Sequence, residues 1–419
     1  MAEPNSVVKV IEICRVAPEP QEVPLPPATP WFLPELTFFD LFWLRFPPFQ
    51  RIFFYELPPS SDPTPLFFDS ILPKLKASLS LTLQHFLPLA GSLTWPQTSH
   101  KPLLNYVQGD AVSLTIAHYS GDHRSDYFDH LSSCNEFVEV IKYHPLVPKL
   151  AISHEKAAAM ALQITLFPSR GFSMGTCMGH AILDGKRPCW DGIHLLEPLS
   201  DLDRPENRSL MCTLWEAPVP PDSVRGTFEF TSTNIQALRH LVMKKQQQQQ
   251  QHQSVHLSTS RLDPPLPANY FGNCIAGGRV VAETKGLLGE DGLVLAVHAI
   301  REAIKGLDNK GFLNGAENWV STLYSSDAQT NYFILTSVAG SNRFQIYDTD
   351  FGWGRPRRTE VVSIDKTGAI SLSDSKNGGG GVEIGLVLKK QYIIYGCFCC
   401  SVCSWSSVKP SYMAWHTPY

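Results

Sequence analysis

Two short strings concentrate the groups able to do chemistry: His180-Ala181-Ile182-Leu183-Asp184-Gly185 and, far downstream, Asp350-Phe351-Gly352-Trp353-Gly354. Neutral imidazole can take a proton from a hydroxyl near neutral pH, so His180 is a candidate general base. Asp184, four residues on, stands where it could orient His180 by a hydrogen bond or turn away and brace the loop through an arginine. A packed histidine on a core-facing strand is the competing reading. Spacing alone carries little weight, because His118 and Asp122 repeat it within the same chain. The second string is a Gly/Trp turn of unusual composition.

Other constellations are weaker. Gly171-Phe172-Ser173-Met174-Gly175 has the letters of a nucleophile elbow, but that elbow needs a strand-to-helix turn and Ser173 is expected inside a strand. Cys397, Cys399, Cys400 and Cys403 have a spacing thiolates could use for zinc, yet no histidine or second ligand pair accompanies them, so no metal is expected. Cys177 and Cys189 read as small buried apolar residues. No phosphate-binding glycine loop is present.

The elements that must position these residues can be read from periodicity. Leu162–Phe167 and 172–180 are two strand-like runs joined by Pro168-Ser169-Arg170-Gly171, a hairpin that places Phe172, Met174, Thr176, Met178 and His180 on one face. Val8–Val16, 51–55 and 382–388 are further strands. Leu72, Leu75, Leu79, Leu83 and Phe86 mark an amphipathic helix ended by Pro88, and Leu293, Val297, Ile300, Ile304 and Leu307 mark another. The glutamine tract 246–251, after a helical segment 233–245, reads as a disordered loop. Alternation of strands and helices in both halves predicts an α/β architecture with mixed sheets. With 419 residues, 18% charged and a net charge of -4, the chain gives no reason to expect nucleic acid or an anionic membrane as partner. No secretory signal or membrane-length apolar run is visible, so reduced thiols and a cytoplasmic location are expected.

The two strings together resemble the plant BAHD acyl-CoA-dependent acyltransferases. Leu87-Pro88-Leu89-Ala90-Gly91-Ser92-Leu93 is similar to that family's LPLAGxL signature. Arg261–Pro267 and Tyr270-Phe271-Gly272-Asn273-Cys274 are similar to the stretch marking its anthocyanin and flavonoid-glycoside branch, and 361–365 and 381–386 continue the likeness. The resemblance implies two similar-sized α/β domains with a solvent channel between them, like chloramphenicol acetyltransferase. Boundaries follow as 1–200 for the domain bearing His180, 201–260 for a glutamine-containing linker, 261–390 for the second domain and 391–419 for an atypical tail. It also implies His180 as the base, deprotonating a glycoside or phenolic hydroxyl that attacks malonyl-CoA or hydroxycinnamoyl-CoA. Acyl-CoA is then a co-substrate, no cofactor or metal is held, and the protein acts as a monomer. Asp184 is implied to pair with Arg261, and Asp350, Gly352 and Trp353 to be structural. Lys186 or Arg187 could take a malonyl carboxylate, though both also read as solvated surface charges.

Three features depart from the family pattern. Lys186–Gly192 contains Pro188 and Gly192, which oppose the helix expected there. His256–Ser260 runs directly into Arg261 where the family carries an apolar helix and a strand, so the second domain is expected to be incomplete. Residues 391–419 replace a closing helix with a cysteine- and aromatic-rich stretch. A catalytically impaired splice or gene-model variant of such an acyltransferase is therefore the alternative.

Overall fold

A computed structural model describes residues 7–19, 31–32, 36, 38–58, 64–121, 124–133, 137–168, 170–182, 208–211, 219–248, 273, 280–310 and 337–391. In chain order the strands are β1 (Val8–Val16), β2 (Trp31–Phe32), β3 (Phe49–Glu56), β4 (Ser92–Thr94), β5 (Leu103–Tyr106), β6 (Val112–Tyr119), β7 (Val138–Glu139), β8 (Lys156–Ala158), β9 (Met160–Phe167) and β10 (Gly171–Met178). The later strands are β11 (Ser223–Phe230), β12 (Val338–Gly340), β13 (Arg358–Val361), β14 (Ile370–Asp374) and β15 (Val382–Lys389). They form three sheets with orders β1-β6-β9-β10-β3-β13, β12-β14-β15-β11-β7 and β2-β5-β4-β8. The first two are mixed, since β6 and β9 run parallel, as do β12 and β14, while the remaining neighbours are antiparallel.

The β9–β10 hairpin stands where the sequence places it, with Phe172 opposite Leu166 and Met178 opposite Met160. Both of its faces are covered. Phe172 and Met174 join a core with Phe53, Tyr55, Ile116 and the helix Leu72–His85, whose Leu72 and Leu83 are buried. Phe54 and Phe167 join a second core on other faces of the same sheet, with Phe128 and Leu146. Ser173 is fully buried in mid-strand, which removes the elbow geometry a nucleophile would need. At Gly91 of the LPLAG string a Cβ would stand 2.3 Å from the carbonyl oxygen of Asn105, so the close approach of that turn to β5 requires glycine.

Two expectations change. His180 does not lie on β10, which ends at Met178, but in the turn that follows. The helix expected over 233–245 runs from Ser232 to Gln248, so Gln246, Gln247 and Gln248 are helical; glutamine is a good helix former and simply extends an established helix.

The two mixed sheets exchange strands. β13, late in the chain, pairs with β3, and β7, early in the chain, pairs with β11. A buried ion network ties the exchange together. Arg225 on β11 donates to Glu360 on β13 at 3.1 Å, to the carbonyl of Val361 at 2.6 Å, and to Asp365. Arg358 donates to Glu360 at 2.8 and 2.6 Å and faces Glu383 of β15, which accepts from the Tyr347 hydroxyl at 2.8 Å. Burial alone would raise the Glu360 carboxyl, but Arg358 and Arg225 outweigh it and hold the group below the usual range. Such a network favours one docking of the sheets over others, since any displaced arrangement leaves charges buried and unpaired.

Candidate active site

The turn carrying His180 is built by two backbone hydrogen bonds: the Gly179 amide donates to Ala159 at 2.9 Å and the Ile182 amide to Gly179 at 3.0 Å. Ala181 and Ile182 anchor it by burying among Leu41, Leu44, Leu93 and Trp95. The imidazole stacks on Trp43, with ring centroids 4.2 Å apart and planes 16° from parallel, and Phe46 lies 6.1 Å away. A small cavity of ≈ 20 Å³, room for about one water, is lined by Leu44, Phe46, Leu93, Ile152 and His180 itself.

The electrostatics of the ring follow from that packing. Burial pushes the imidazole down to about 4. His180 is therefore unprotonated, the form a base requires, across the physiological range. The same desolvation lowers its proton affinity, so the free site is a weaker base than an imidazole in water. Its Nδ1 is buried and has no hydrogen-bond partner among the described residues. A packed core histidine normally has its ring nitrogens satisfied.

Asn273 supplies a support that nothing in the local sequence connects with His180. It is fully buried, and its side-chain amide donates 3.0 Å to the His180 carbonyl and 3.0 Å to Asp40 Oδ1. The Asn273 backbone amide donates to the same Asp40 oxygen at 2.9 Å. One asparagine from Tyr270–Cys274 thus joins the His180 turn to the helix Phe38–Phe42. Asp40, Trp43 and Phe46 are the residues sequence reasoning missed. The available signal was Asp40 itself, a lone carboxylate in the aromatic string Phe38–Phe46, which must find donors if it is buried.

Asp350–Gly354 lies elsewhere. Asp350 Oδ1 accepts the amides of Gly352 at 2.7 Å and Gly354 at 3.0 Å, closing a turn in which both glycines take φ near +95°. Trp353 packs edge-on against Phe172, 6.0 Å away, and Phe351 against Tyr55, also 6.0 Å. Phe172 stands near the start of β10 and His180 follows its end, so the length of that strand, roughly 23 Å, separates the two motifs. The structure does not bring them together. Asp184, Gly185 and Arg261, with their expected ion pair, lie outside the described residues, as do Lys186, Arg187, Tyr270, Phe271, Gly272, Cys274 and the cysteines of 397–403. His118, the decoy, is half-buried in β6 opposite Lys9. Among the described residues no group of histidine, cysteine and carboxylate side chains could hold a metal ion, and no helix is long and apolar enough to cross a membrane.

The comparisons with known proteins converge on the family that the two strings suggest. The sequence model described as the Transferase family matches residues 36–255 and 237–394. Phenolic glucoside malonyltransferase 1 of Arabidopsis thaliana is 33% identical, over 93% of this chain and 96% of its own. Malonyl-CoA:anthocyanidin 5-O-glucoside-6''-O-malonyltransferase of the same plant is also 33% identical, over 92% and 96%. The first alignment spans 471 positions, more than the 419 residues of this chain, so that relative carries internal residues which this chain lacks. The crystal structure of vinorine synthase superposes with a TM-score of 0.62 at 19% identity, covering 92% of this chain and 96% of that one, and shares the two-domain fold. A base candidate at the end of a buried hairpin, a structural Asp350–Gly354 turn and this breadth of likeness leave one assignment: the chain belongs to the Transferase family of BAHD acyltransferases.

Proposed function

We propose that this protein transfers an acyl group from an acyl-CoA, with malonyl-CoA as first choice, to a hydroxyl of a phenolic or flavonoid glycoside. His180 takes the proton of the acceptor hydroxyl as its oxygen attacks the thioester carbonyl. The tetrahedral intermediate then expels the thiolate, which recovers that proton from the imidazolium and leaves as free CoA. The observation that carries this reading is the unprotonated, unsatisfied imidazole held by its own backbone against Trp43. Support for donor and acceptor comes from relatives named as malonyltransferases of phenolic and anthocyanidin glucosides. Acyl-CoA is a co-substrate in this scheme, no cofactor is needed, and the protein works as a cytoplasmic monomer.

A second reading has an observation of its own. The relatives' additional internal residues, and the exposure of Ile300 (50%) on a helix whose sequence marks it for burial, favour an acyltransferase chain that has lost core segments and with them its activity. Incubating purified protein with malonyl-CoA or coumaroyl-CoA and phenolic glucosides, while following free thiol and acylated product, decides between the two. Thiol release that depends on acceptor and vanishes in His180→Ala supports the transferase. Equal release from wild type and variant refutes it.

A further inference from the structure

Arg51 sits in mid-β3 between Phe49 and Phe53 on one sheet face and is 6% exposed. That face meets elements of the five-stranded sheet: Phe49, Ala339 and Val387 all pack on Val361, Ile364 and Ala369. The guanidinium carbon lies 5.2 Å from the Phe49 ring centroid. No described residue accepts a hydrogen bond from the guanidinium or pairs with it, and Nε is buried. Asp374 attracts it from a distance, but the Asp374 oxygens already accept the amides of Ile346 at 2.8 Å and Tyr347 at 3.3 Å.

The other two deeply buried arginines of this sheet interface are treated differently. Arg225 reaches two carboxylates and so does Arg358. A planar guanidinium buried among aromatic rings is shaped for a forked bond to a carboxylate. Burial pulls Arg51 down to about 10, the consequence of hydration removed and not replaced. Directly across from Arg51 on β10 stands Thr176, whose hydroxyl donates to the Arg51 carbonyl at 3.3 Å. His180 follows four residues later, in the turn just beyond the end of β10 at Met178.

We propose that Arg51 binds the free carboxylate of a dicarboxylic acyl-CoA donor and so selects charged over neutral acyl groups. The inference rests on the transferase reading above and assigns that reaction a specificity residue on β3. The phosphates of CoA offer the same chemistry from another part of the donor, and the test separates them. Malonyl-CoA, acetyl-CoA and CoA are titrated calorimetrically into wild type, Arg51→Gln and Arg51→Lys. The glutamine variant is expected to weaken malonyl-CoA roughly 10- to 100-fold while acetyl-CoA and CoA stay within about twofold. Lysine, which keeps the charge and loses the fork, is expected to show a smaller loss confined to malonyl-CoA, and it carries the test if the glutamine variant fails to fold. Equal weakening of all three ligands, as phosphate binding or a purely structural arginine would give, overturns the proposal, and so does unchanged malonyl-CoA affinity. Because binding is read without turnover, a chain that binds malonyl-CoA through Arg51 but transfers nothing refutes the transferase reading and leaves this one standing.

Discussion

The two ends of β10 carry two turns with opposite hydrogen-bond economies. At the Phe172 end, the Asp350–Gly354 turn satisfies itself: one carboxylate oxygen closes it through two glycine amides, and Trp353 and Phe351 pin it to the core. At the other end, the His180 turn spends its backbone on support, through Asn273 and Ala159, and leaves a ring nitrogen unsatisfied beside a cavity. A group whose hydrogen bonds are complete has nothing left to offer a substrate. The contrast is one of hydrogen bonding: one turn closes on itself, and the other leaves a ring nitrogen without a partner among the described residues.

That contrast can be broken experimentally, beginning with its sharpest edge. His180→Ala should lower acyl transfer about 10²- to 10⁴-fold with little change in thermal midpoint, measured by thiol release and differential scanning calorimetry. Trp353→Ala should do the reverse, costing about 3 kcal/mol in urea unfolding while activity per folded molecule persists. If the two variants behaved alike, the distinction between the ends of β10 would fail. pH probes the same difference. His180 titrates at about 4 when folded and near its ordinary 6.5 when unfolded, so the unfolded chain binds the extra proton between those values. Its contribution to stability is therefore present above pH 6.5 and lost as pH falls toward 4, by up to about 3 kcal/mol. The acid limb of kcat/KM should lie near pH 4, and a limb near 6.5 would mean the ring is hydrated in solution.

Two smaller effects refine the picture. Asn273→Ala strips the His180 carbonyl and Asp40 of buried donors and should cost about 2 kcal/mol. It should also lower kcat by more than its effect on KM, because it loosens the base and not a substrate contact. Asp350→Ala loses two exposed hydrogen bonds and should cost about 1 kcal/mol, with kcat unchanged.

Much of the scaffold was legible because it is local. Period-two runs marked β1, β9, β10 and β15, and leucines at three- and four-residue spacing marked the helix Leu72–His85. The end of β10 was misplaced because alternation continues through His180 in the sequence, whereas the strand ends where the Gly179 amide leaves the ladder for Ala159. Trp43, Asp40 and Asn273 were not attached to His180 for a different reason. They lie 137 or more residues upstream or 93 downstream, and composition carries no record of which distant residues a fold will bring together.

By itself, then, the sequence determined the identity of the base candidate, the hairpin that leads to it and the existence of a Gly/Trp turn at Asp350–Gly354, all properties of short stretches with strong local preferences. The tertiary structure alone decided that His180 is stacked and held unprotonated, that Asn273 and Asp40 hold its backbone, and that Arg51 is buried without the carboxylates given to Arg225 and Arg358. Each of those depends on desolvation and on contacts across many residues of chain, which exist only once the sheets have packed.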